Sequence, residues 1–218
     1  MRWNELIEAV GDEPVFETGS LLVGGVDPKD VMRQLSRWTA AGDLVQLRRG
    51  LYALGGKWAN GRRRPHGFEI ANLVVRGSYV SLSSVLSEQG IIPDYVPSVT
   101  SVTTGRPRIV TTALGIFLYR HVRNDMFWGY EWRDLGAGKG AYVASTEKAL
   151  IDLFYLARRP DQLDYLHELR LQNLERLELD ALVMMAQRTG KSAVISAAHW
   201  VAGQAAREAA GSEERSTA

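Results

Sequence analysis

The sequence predicts an α+β protein: an N-terminal winged helix-turn-helix, then a mixed α+β domain with an antiparallel sheet and C-terminal helices. Three observations carry that expectation. Asp27 to Leu54, DPKDVMRQLSRWTAAGDLVQLRRGLYAL, reads as an amphipathic helix followed at once by a basic-tipped hairpin. From His66 the pattern runs helices, strands, then helices again. Between them GGKWANGRRRP, residues 55–65, has no periodicity and is rich in turn formers and charge. The expected boundaries are a DNA-binding domain at 1–56, a basic linker at 57–65, an α+β domain at 66–207 and a disordered tail at 208–218.

In chain order, Trp3, Leu6, Ile7 and Val10 are spaced as one face of a short first helix. Thr18 is the expected cap of a second, from about Gly19 to Val23, and Gly24-Gly25 turns the chain toward a third. Asp27 caps that helix, Pro28 suits its first position, Asp30 complements the positive end of its dipole, and Gly42 stops it. At about 100° per residue, Val31, Leu35 and Trp38 share one face, and Lys29, Arg33, Ser36, Arg37 and Ala40 the other. Leu44 to Leu47 and Leu51 to Leu54 then flank Arg48-Arg49-Gly50 as a hairpin.

That order is the winged pattern, in which a helix enters the major groove and the wing touches backbone or minor groove. The expected DNA-binding residues are therefore Lys29, Arg33, Ser36, Arg37, Arg48 and Arg49. Arg62, Arg63 and Arg64 join them as phosphate contacts, or form an ordinary solvated loop.

In the second domain Phe68 to Val75 reads as a helix, and Ser81 to Gln89 as another, capped by Ser81 and ended by Gly90. Val99 to Thr103, Ile109 to Thr112 and Ile116 to Val122 read as strands, and Tyr130 to Leu135 with Ala141 to Ala144 as a hairpin around GAGKG. Ser145 caps a helix with Ala149, Leu150, Leu153, Phe154 and Ala157 inside. Helical stretches follow at Gln162 to Asn173, Leu179 to Thr189, and Ser192 to about Arg207.

Charge supports a nucleic-acid partner despite a net of only +1. Residues 1–26 carry one basic and five acidic side chains, whereas 27–64 carry nine basic and three acidic. Local density, not the total, sets the footprint on DNA. A composition 45% hydrophobic and 23% charged is that of a soluble globular protein. The absence of cysteine excludes disulfides, thiolate zinc sites and a cysteine nucleophile. MRWNELIEAV lacks the apolar core of a signal peptide and no apolar run approaches a membrane span, so a cytoplasmic protein is expected.

No catalytic constellation stands out. GAGKG lacks the Walker spacing and the hydroxyl after its lysine. His66, His121, His167 and His199 are scattered, which supports no metal site. Ser81, Ser83, Ser84 and Ser87 lie in no nucleophile elbow. Asp125, Glu131 and Asp134 read as solvated sheet edges, and Glu147-Lys148 as a dipole complement with an exposed charge. Trp128 and Trp132 are read as core or interface packing residues rather than an aromatic interaction patch. Neither an enzyme, nor a metal, nor a cofactor is expected.

The run RQLSRW…GDLVQLRRGLYAL resembles the winged-helix start of the AbiEi-type antitoxin family of abortive-infection (type IV) toxin–antitoxin systems. The likeness continues through Tyr79 to Leu86, Ile91-Ile92-Pro93, the Val99 to Thr104 strand, Phe127-Trp128-Gly129-Tyr130, and Ala144 to Leu153, in the family's order. Thr146 stands where that family commonly has proline, a change confined to the first helical position. The resemblance spans about residues 10 to 190. It implies an autorepressor that binds inverted repeats in its promoter DNA and counteracts a nucleotidyltransferase-like toxin in phage defence. It leaves open whether the toxin is bound directly and whether the chain is a homodimer on DNA. The alternative is a winged-helix transcription regulator whose second domain senses a ligand or dimerises, with no toxin partner.

Overall fold

A computed structural model describes residues 1–22, 26–60, 64–136 and 138–216, except for the side chains of 211–216. The N-terminal part contains α1 (Trp3–Val10), β1 (Val15–Glu17), α2 (Pro28–Ala40), β2 (Leu44–Arg48) and β3 (Leu51–Leu54). Its sheet is antiparallel in the order β1-β3-β2. Asp27 caps α2 as its sequence predicts: the carboxylate accepts from Lys29 N at 2.9 Å, ahead of Pro28 in the first turn. The expected second helix does not form among the described residues. Thr18–Leu21 makes one 3-10 turn with Glu17, not Thr18, in the cap position. Gly19 and Ser20 are weak helix formers, so too little favours continuation; Val23 to Gly25 lie outside the described residues.

β3 is the middle strand, and all four of its side chains are buried. Period-two geometry sends them to opposite faces. Tyr52 and Leu54 pack with Leu6, Phe16, Val31 and Leu35, whereas Leu51 and Ala53 join Val15 and Leu47 in the large core of the remaining chain. The small sheet is thus a wall shared by both halves. Trp58 belongs to the N-terminal half too, its ring 4.9 Å from that of Trp3 and its Nε1 donating to Asp43 at 2.8 Å. Gly55 permits this fold-back, since a Cβ there would stand 2.8 Å from the Gly42 carbonyl oxygen.

The remaining chain contains α3 (Gly67–Val74), β4 (Ser78–Val80), α4 (Ser83–Glu88), β5 (Ser98–Thr103), β6 (Arg108–Thr112), β7 (Gly115–His121), β8 (Tyr130–Gly136), β9 (Lys139–Ala144) and α5 (Thr146–Leu156). Then come α6 (Leu163–Glu168), α7 (Leu179–Arg188) and α8 (Ser192–Ser216). The six strands are ordered β6-β7-β5-β4-β9-β8. The predicted antiparallel sheet is instead mixed, because β5 runs parallel to β7 and β4 parallel to β9. Phe117 and Tyr119 are buried, which draws β7 inward beside β5, while β6 with its exposed Ile109 takes the edge.

Other elements shift for local reasons. Leu82 has φ +59°, so α4 begins at Ser83 and Ser81 is not its cap. The helix expected over Gln162 to Asn173 stops at Glu168, with Arg170 and Asn173 both at positive φ. The Asn173 amide then donates to Gly90 O at 2.7 Å. α8 continues past Arg207 to Ser216, through most of the stretch expected to be disordered; residues 217 and 218 lie outside the described ones. Among the described residues, no helix is long and apolar enough to cross a membrane.

Candidate nucleic-acid interface

α2 buries Val31 and Leu35 and turns Lys29, Arg33, Ser36 and Arg37 outward, all exposed. Asp30 organises its first turn. The carboxylate accepts from the Met1 amino group at 2.8 Å and pairs with Arg33 at 2.5 Å. The hydrogen bond from that amino group, then the one from Arg33, hold its pKa below the ordinary aspartate range. Lys29, Arg37 and Arg49 form no ion pair among the described residues. Met32 is also exposed on α2, beside Lys29 and Arg33.

Hairpin β2–β3 treats its two arginines differently. Arg49 is exposed. Arg48 is turned back: its guanidinium donates to Glu17 Oε1 at 3.0 Å and to the Leu73 carbonyl of α3 at 3.4 Å. A register shift between Gln46 and Arg48 accompanies this turn. Arg48 therefore sits at the junction between the halves. Arg64 is exposed, and its carbonyl accepts from Lys139 Nζ at 2.5 Å. Arg62 and Arg63 lie outside the described residues. One helix face thus gathers Lys29, Arg33, Ser36 and Arg37; Arg49 stands at the hairpin tip.

In the second half the dispersed acids stay apart. Asp125 pairs with Arg123 at 2.7 Å and Asp134 accepts from Gly136 N at 2.8 Å. No group of metal-ligating side chains occurs among the described residues. GAGKG is a hairpin turn with Gly136 opposite Lys139, and Ala137 lies outside the described residues.

Lys148 corrects the expectation of an exposed charge. Its side chain and that of Asp152 are 0% exposed. Three donors converge on Asp152: Lys148 Nζ, Tyr79 OH at 2.9 Å, and Ser81 Oγ at 2.8 Å. Burial lowers the Lys148 pKa and raises that of Asp152, and each partner opposes the shift in the other. Two cations approach the Trp128 ring, Lys148 Nζ at 4.6 Å and the Arg188 guanidinium at 4.2 Å. Gly129, at φ +73°, admits the lysine stem, since a Cβ would stand 2.9 Å from Lys148 Cγ. The cluster braces β4 against α5.

No protein-family model matches the chain, and no curated protein matches it.

Proposed function

We propose that the chain is a winged helix-turn-helix DNA-binding protein that represses its own toxin–antitoxin operon and acts as its antitoxin. The observation that supports this reading best is the outward face of α2, where Lys29, Arg33, Ser36 and Arg37 stand exposed opposite buried Val31 and Leu35. A hairpin with exposed Arg49 follows directly in the chain. On this reading α2 lies in the major groove of double-stranded promoter DNA. Arg33 and Arg37 reach base edges there, while Lys29 and Arg49 contact phosphates. Inverted repeats would engage two copies.

The antitoxin half of the proposal rests on the resemblance to AbiEi-type antitoxins, which supplies a nucleotidyltransferase-like toxin as the counteracted partner. Gel-shift titration of the full chain on its own promoter, over a salt series, tests DNA binding. Co-expression with the adjacent gene, followed by growth, tests the antitoxin role. Specific binding without protection would leave a transcription regulator; absence of specific binding would remove the DNA reading. The regulator alternative, with a ligand-sensing second half, draws support from a cavity beside the Arg48–Glu17 junction.

A further inference from the structure

Between α3 and the β8–β9 hairpin lies a cavity of about 330 Å³, within the size range of small-molecule sites. Glu69 and Asn72, three residues apart on α3, form one wall; Trp132, Gly140 and Tyr142 form the other. Glu69 Oε2 and Asn72 Nδ2 are both buried with no hydrogen-bond partner among the described residues. Native interiors rarely leave such atoms unpaired, so an acceptor and a donor on one wall of the cavity suit a ligand that offers both. The Asn72 amide is oriented by its oxygen, which accepts from Tyr142 N at 2.6 Å. Opposite them stand two aromatic rings at an edge-to-face distance of 5.2 Å. Trp132 is 60% exposed and Tyr142 45% exposed, unusual for large aromatic side chains. Gly140 lets the indole lie flat on the strand, because a Cβ there would stand 2.2 Å from the ring.

We infer that this cavity binds a guanine base, stacked on Trp132 and read on its hydrogen-bonding edge by Glu69 and Asn72. A carboxylate suits the adjacent N1–H and N2–H donors of guanine, and the Asn72 amide suits its O6 acceptor. An adenine edge offers the carboxylate only one amino group. A cationic ligand would satisfy Glu69 but leave the Asn72 donor unpaired, and Arg76 on the rim opposes it. Glu69 and Asn72 line the cavity from the α3 side, across from the two rings. The inference does not depend on the DNA-binding reading.

Calorimetric titration of the full chain with GMP, AMP and inorganic phosphate, in the absence of DNA, tests it. GMP is expected to bind saturably, AMP at least tenfold more weakly, and phosphate not at all. Glu69→Gln keeps the side-chain shape and an oxygen for the His66 backbone hydrogen bond, and should weaken GMP at least tenfold. Trp132→Leu, at an exposed position, should do the same through lost stacking. Competition of GMP with the single strand UUGUU separates a free nucleotide from a guanine within RNA, both of which carry the same base. Equal binding of GMP and AMP, wild-type affinity in Glu69→Gln, or binding of phosphate alone would each overturn the inference. So would tetramethylammonium binding in place of GMP.

Discussion

Arg48 and Arg76 share a single carboxylate oxygen: both guanidiniums donate to Glu17 Oε1, each at 3.0 Å. The hairpin arginine is thereby committed to the junction between the halves, and its neighbour Arg49 stays exposed. Arg49→Ala should weaken binding to all DNA sequences alike and flatten the salt dependence by about one unit of slope. Arg48→Ala should leave that slope unchanged. It should lower stability by less than about 1 kcal/mol, because the pair is partly solvated. Salt-series gel shifts and urea melts read both; a slope lost with Arg48 instead would reverse these roles.

On α2, replacing Arg33 and Arg37 together with Ala should abolish preference for the operator, at about 1–3 kcal/mol per lost base contact. Far-UV circular dichroism should not change, since both side chains are exposed. Unaltered operator affinity would remove α2 from the groove.

The brace of β4 against α5 makes an asymmetric prediction. Lys148→Met leaves Asp152 buried without its cation, and should cost about 3–5 kcal/mol. The double variant Lys148→Met, Asp152→Leu removes both charges and should recover part of that loss. Urea denaturation of the four proteins in the cycle measures the coupling, and strictly additive losses would contradict a paired state.

Folding stability should also respond to His66. Its Nδ1 accepts from Phe68 N at 3.2 Å and caps α3, which requires the unprotonated ring. Burial lowers its pKa, with Glu88 opposing the shift and Arg133 and Lys139 adding to it. A folded value below the unfolded one, about 6.5, gives stability that is complete above that pH. It is lost as pH falls through the folded value. His66→Asn retains a capping oxygen and should flatten thermal stability across this window. An undiminished pH dependence in that variant would assign the effect elsewhere.

Residues 55–65 read as a separable linker, yet Val15, Leu47, Leu51 and Ala53 pack into the larger core. Proteolytic nicking between 60 and 64 should therefore leave the two pieces co-eluting on gel filtration. A fragment beginning near Pro65 uncovers the apolar surface that those four side chains protect. It should bind a hydrophobic dye and melt well below the full chain. Separation of the nicked pieces under native conditions would show that the shared core contributes little.

Local chemistry made the N-terminal third legible. Asp27 and Pro28 announce the start of α2, and the turn at Gly50, with φ +78°, announces the hairpin. Arg48 was not legible as a junction residue, because its partners Glu17 and Leu73 lie far away in sequence. An i,i+4 pair such as Lys148 and Asp152 has the same spacing on a solvated helix as in a core. Only the aromatic and hydroxyl groups of Tyr79 in β4 and Ser81 just after it distinguish the two cases. β4 itself spans three residues, too few for alternation to register, and its parallel partner β9 lies more than 50 residues on.

The shared wall at β3 also sets a schedule for synthesis. When the ribosome has released the hairpin, Leu51 and Ala53 have no cover, because the residues that enclose them are still to be made. At about 5–20 residues per second, the chain from Leu54 to Ala144 takes several seconds to follow. During that interval the nascent N-terminus carries its three-stranded sheet with one bare apolar face, a target for chaperones. The face of β3 that carries Leu51 and Ala53 is therefore covered only after the second half arrives.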